Sequence, residues 1–121
     1  LFIVEDENGG FFGDGRCELL KAVMEHGSLS AAAEALGRGY RKAWADIRKA
    51  EEATGLKLVV RERGGARGGS SRLTESGEGL VRAWERYSEE VGLCMSRAYG
   101  IHLKGIIEGG VHGSGEDEGD A

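Results

Sequence analysis

The sequence predicts an α+β fold, mainly α, in which three short helices, with a β-hairpin before and another after them, lead into one long C-terminal helix. Apolar residues recur at helical spacing in two stretches, Cys17, Leu20 and Met24 in the first and Trp44, Ile47 and Ala50 in the second. Short runs of strand composition flank turn-forming residues at 5–10 and 64–71. From Leu80 to Ala98 the apolar residues repeat at coiled-coil spacing.

The first hairpin pairs Leu1–Val4 with Phe11-Phe12, and Asn8-Gly9 is its turn signal. Helix 1 follows Gly13-Asp14-Gly15, carries Cys17, Leu19, Leu20, Val23 and Met24 on its apolar face, and stops at His26-Gly27. Helix 2 starts at a hydroxyl cap, Ser28 or Ser30, and runs through Leu36; Ala31, Ala32, Ala33 and Ala35 keep it thin enough for another helix backbone to approach. Gly37-Arg38-Gly39 turns into helix 3, from Tyr40 to Thr54, with Trp44, Ile47 and Ala50 inward and Arg41, Lys42, Arg48 and Lys49 outward. Gly55 ends it.

The second hairpin pairs residues 58–63 with Arg72-Leu73 across a glycine-rich tip at 64–71. Thr74 is the N-cap of a helix that begins at Glu75-Ser76 and reaches Ala98. Along it Leu80, Trp84, Tyr87, Val91, Cys94 and Ala98 are spaced 4, 3, 4, 3 and 4, a heptad seam. Such a helix spans roughly 36 Å at 1.5 Å per residue, more than a small domain has surface to cover. A second copy is therefore expected along the seam; the alternative, that the stripe covers only its own domain, stays open. Residues 101–107 read as one short strand, and 113–121, glycine and acid, as disordered.

With 121 residues the chain has single-domain size, and no apolar run approaches the ~20 residues that cross a bilayer. No secretory signal opens the sequence, so a cytoplasmic protein is expected, with a few residues lost before Leu1. Cys17 and Cys94 lack a CxxC partner and read as buried thiols, so no metal site is expected. His26, His102 and His112 assemble no triad, and the glycines at 64–69 lack the GK[ST] ending of a phosphate loop. The expectation is no catalytic activity and no cofactor.

The net charge of −5 is unevenly spread. Residues 38–72 hold ten Lys/Arg against four acids, a balance of +6, between acidic segments of −5 (1–37) and −6 (73–121). A local basic strip is rewarded by counterion release from phosphates whatever the total charge.

Helix, glycine turn, helix and hairpin are the parts of a winged helix-turn-helix, whose second helix enters the major groove. Double-stranded DNA is the expected partner. The expected contacts are Ser28, Ser30 and Arg38 around the turn, Tyr40, Arg41 and Lys42 at the start of helix 3, and Arg63, Arg67, Ser70, Ser71 and Arg72 in and beside the wing. The expected division is 1–99 for DNA binding and homodimerisation and 100–121 for a short tail. The negative net charge motivates a rival from another class, a dimeric winged-helix module that binds protein without reading DNA sequence.

Gly27-Ser28-Leu29-Ser30-Ala31-Ala32-Ala33, Tyr40-Arg41-Lys42-Ala43-Trp44, Gly64-Gly65-Ala66-Arg67-Gly68-Gly69 and Leu73-Thr74-Glu75-Ser76-Gly77 together resemble the DNA-binding domain of the ModE family of molybdate-responsive transcriptional regulators. The first of these also resembles the LysR-type domain; the YRKAW stretch and the glycine-rich wing favour ModE. The resemblance runs from Leu1 to Val91. It implies a winged-helix homodimer held by a long helix, acting at promoters of molybdenum genes. Members that sense molybdate carry a further C-terminal oxyanion-binding module, for which the residues after the long helix are too few, so a separate effector or sensor protein is an expected partner. Gly39 departs from the serine that members often carry before the tyrosine.

Overall fold

A computed structural model of the chain describes residues 4–6, 9–62 and 70–109. Two compact units, Leu1–Arg86 and Tyr87–Ala121, divide within the last helix. In the first, strands β1 (Val4–Asp6) and β2 (Gly9–Phe12) pair antiparallel with Asp6 opposite Gly9, so the ladder runs further into the expected turn than the sequence reading allowed. Helices α1 (Asp14–His26), α2 (Leu29–Ala35) and α3 (Tyr40–Thr54) follow, then β3 (Val59–Glu62) antiparallel to β4 (Ser70–Leu73), then α4 (Glu75–Ala98). The element order is the expected one.

The helices α1 and α3 end where the sequence supplies a stop. Gly27 and Gly55 adopt φ of 80° and 74°, the left-handed region that closes α1 and α3 by returning an N–H to Val23 O and Glu51 O. Ser28 Oγ accepts from Ala31 N at 3.0 Å and starts α2. Thr74 Oγ1 accepts from Gly77 N at 2.9 Å and donates to Lys57 O, so one hydroxyl both caps α4 and ties it to the chain before β3. The Glu51 carboxylate accepts from Leu58 N and Val59 N and holds the start of β3 on α3.

The core lies between α1, α2, α3, the base of the hairpin and the start of α4. Leu19, Leu20, Leu29, Ile47, Leu58 and Val59 are buried in it, and Ala32, Ala33, Ala43 and Ala50 are the small residues across which the helices approach. Trp84 closes one end, edge-on to Phe12 with ring centroids 5.3 Å apart and its indole N–H donated to Asp14 Oδ1 at 2.8 Å. Arg16 joins α1 to α3 through Asp46, and Lys21 meets Glu85 of α4 at 2.7 Å.

Three expectations need correction. Met24 is 53% exposed, at the margin of the α1 face rather than on it. Trp44 is only half-buried at the edge of the core, because its indole faces the base of the wing. Residues 101–107 form no strand: beyond α4 the backbone stays helical through a π-helical turn, Tyr99–Leu103, and on through 104–109. Ile101, Ile106 and Ile107 remain exposed on this helical extension. The expected disorder from 113 lies outside the described residues. Among the described residues, no helix is long and apolar enough to cross a membrane, and no group of three or more His, Cys, Asp or Glu could hold a metal ion.

Candidate nucleic-acid interface

The left-handed Gly27 delivers Ser28 in extended backbone, and the cap it makes aims the first turn of α2 outward with Ser30 exposed. After α2, Arg38 N returns to Ala33 O at 2.8 Å and Gly39 starts α3 without a side-chain cap. The first turn of α3 carries no acidic residue and presents Tyr40, Arg41 and Lys42 to solvent. Among the described residues neither Arg41 nor Lys42 forms an ion pair. Their charges and the unpaired amides at the helix start add up at one edge of the molecule.

The other expected contact residues divide. Arg38 is a strut: it donates to Gly15 O at 2.9 Å and to Glu18 at 2.8 Å, and so fixes the turn on α1. Arg72 is paired across the ladder with Glu62 at 2.7 Å. Ser70 and Ser71 belong to β4 and not to the wing tip, opposite Glu62 and Arg61. Ser71 is buried, and its N–H goes to Gly27 O at 3.0 Å. Arg63 and Arg67 lie outside the described residues.

The sequence reading missed Arg61. Its guanidinium carbon stands 4.6 Å from the Trp44 ring centroid, with Arg48 at 5.8 Å. Tyr40 Oη accepts from Trp44 Nε1 at 2.8 Å and from Arg61 Nη2 at 2.6 Å. Tyr40 and Arg61 border a groove of about 140 Å³ lined also by Ser28, Leu29, Ser30, Ser70 and Ser71. A signal was present: Tyr40 and Trp44 are four residues apart, so a helix that turns Tyr40 outward brings Trp44 with it.

The heptad seam is also divided. Trp84 is buried in the core and Leu80 packs against it, so these two serve the chain's own fold. Val91 is half-buried, while Tyr87, Cys94 and Ala98 are exposed. Cys94 is thus not the buried thiol expected; Cys17 is, and burial pushes its thiol pKa up.

Residues 15–78 match the bacterial regulatory helix-turn-helix proteins of the lysR family. The chain is 30% identical over 99 residues to the molybdenum-pterin-binding protein MopA of Rhodobacter capsulatus, covering 82% of this chain and 34% of that one. It is 36% identical over 70 residues to the transcriptional regulator ModE of Yersinia pestis, covering 58% and 27%. The chain spans about a third of the length of the curated relatives it matches. A crystal structure of a CbnR_DBD–DNA complex shares the fold, with a TM-score of 0.57 and 23% identity over 74% of this chain and 98% of that one. A helix-turn-helix built on Gly27, Ser28 and the Gly37–Gly39 turn, a two-stranded wing and a long following helix accord with these likenesses, and the chain belongs to the lysR family of bacterial regulatory helix-turn-helix proteins, with a ModE-like winged-helix DNA-binding domain.

Proposed function

We propose that the chain binds duplex DNA as a homodimeric transcriptional regulator of molybdenum-related genes, with Arg41 and Lys42 entering the major groove and the wing lying on the sugar-phosphate backbone. The observation that carries this reading is the first turn of α3, where both side chains are exposed, carry no ion pair among the described residues and have no acid beside them. A binding surface is the reason to leave two cations unneutralised in a chain with a net charge of −5. The likeness to a molybdenum-pterin-binding protein and to ModE regulators supports the molybdenum link. The exposed Cys94 and Ala98 with Leu93 and Met95 support a second copy along α4. In this reading residues 1–99 serve DNA binding and dimerisation, 100–121 are a tail, the compartment is the cytoplasm, an effector or sensor protein acts from outside the chain, and no reaction is catalysed.

The test is binding of the purified chain to its own upstream DNA and to random duplex over a range of salt, with and without molybdate. Preference for upstream DNA with affinity falling steeply in salt is expected. Weak, salt-insensitive binding to both would replace the regulator with a protein-binding module.

A further inference from the structure

The geometry points to a seat for one DNA backbone phosphate between α2, α3 and the wing, gripped by Arg61 and the Tyr40 hydroxyl; it rests on the duplex-binding proposal above. A phenol oxygen has two lone pairs and one proton. In Tyr40 both lone pairs are engaged, by Trp44 Nε1 and Arg61 Nη2, so the hydroxyl can only donate. Arg61 commits one N–H to Tyr40 and lays its guanidinium on Trp44, and among the described residues no carboxylate pairs with it. Its neighbours differ: Arg72 is neutralised by Glu62 and Arg38 by Glu18. Ser28 Oγ uses a lone pair on the α2 cap and keeps its proton, Ser30 and Ser70 border the same groove, and among the described residues no acidic one lines it.

Donors with no competing carboxylate select an anion. Because Tyr40 of the groove directly precedes Arg41 and Lys42 in the first turn of α3, the anion is a phosphodiester of the strand those residues approach in the proposed complex. The stack on Trp44 and the bond to Tyr40 hold a long side chain in place before DNA arrives, so little rotamer freedom is lost on binding. A backbone phosphate carries no base identity, so the contact adds affinity on every sequence alike.

Arg61→Gln tests this. The position is exposed, so the thermal unfolding curve is expected to stay cooperative and to shift by only a few degrees for the lost stack on Trp44. Binding is expected to weaken about tenfold on upstream and random duplex equally, and the slope of log affinity against log salt to shrink by about 1. Arg61→Lys keeps the charge without the planar stack, so it recovers the slope but only part of the affinity. Duplexes with a single neutral methylphosphonate linkage locate the contact: one position weakens the wild-type chain and leaves R61Q indifferent. If instead inorganic phosphate at constant ionic strength displaces DNA from the wild type and not from R61Q, the groove holds a free oxyanion and the strand contact is overturned. Wild-type binding matched by R61Q in affinity and slope overturns the seat alone. A wild-type chain without salt-dependent duplex binding overturns the regulator proposal and the seat together.

Discussion

Trp84 and Cys94 lie ten residues apart on α4 and on one apolar stripe, yet the first is 6% exposed inside its own domain and the second faces solvent. Upstream, Gly77, Val81 and Trp84 are buried, with Thr74 and Glu85 tying the helix to the chain before β3 and to α1. Downstream, Leu93 and Met95 stand exposed at 69% and 49%. A heptad repeat records which side of a helix is apolar. It does not record whether the chain itself or another molecule covers that side, and α4 does one along its first half and leaves the other open along its second.

The largest effect that would sharpen this contrast is at Trp84. Trp84→Ala is expected to cost about 3 to 5 kcal/mol in denaturant unfolding, since it empties the space against Phe12 and removes the bond to Asp14. A loss below about 1 kcal/mol would mean that the upstream half is not core after all. Next comes Gly77, where an added Cβ would sit 2.3 Å from the Leu58 carbonyl oxygen. Gly77→Ala is expected to destabilise by about 2 to 3 kcal/mol by prising α4 off β3, read from the melting temperature.

Cys94→Glu probes the downstream half. It is expected to leave the unfolding of the isolated chain within about 0.5 kcal/mol of wild type, and to weaken self-association by about 2 kcal/mol, roughly thirtyfold in Kd, in sedimentation equilibrium. An unchanged dimer would move the second copy to another face. The smallest effect concerns Lys21, whose hydrogen bond and ion pair with Glu85 raise its pKa above the ordinary 10.5. A raised folded-state pKa gives stability that is full below the unfolded value and lost as pH climbs through the folded one. The gap in melting temperature between wild type and Lys21→Met is therefore expected to persist at neutral pH and close above pH 10.5.

These contrasts also mark how far the sequence could be read. Most helix boundaries up to the start of α4 were legible because glycine and hydroxyl residues stand at them: Gly27 with Ser28, Gly39, Gly55 and Thr74. Trp44 was misplaced because periodicity counts an indole as core, while the group that occupies its face, Arg61, comes from a strand 17 residues later. Ser70 and Ser71 were taken for loop because serine after a glycine run reads as turn chemistry; the ladder to Arg61 and Glu62, a non-local fact, makes them strand. The isoleucines at 101, 106 and 107 carried strand propensity, but the helical backbone of α4 continues through them. The exposure of Arg41 and Lys42 was legible because it follows from local order at the start of a helix.

The bond from Ser71 N to Gly27 O fastens the base of the wing to the turn between α1 and α2. In the proposed complex α3 and the wing base, joined also by the bond from Arg61 to Tyr40, meet the duplex as a gauge of fixed opening rather than one that widens for one operator and narrows for another. Adjustment falls to the DNA, whose cost of bending or groove narrowing depends on base steps that no side chain touches. Operators should then be ranked partly by flexibility, and two sites with the same contacted bases but a stiff or a pliant step between the grip points should bind with different strengths.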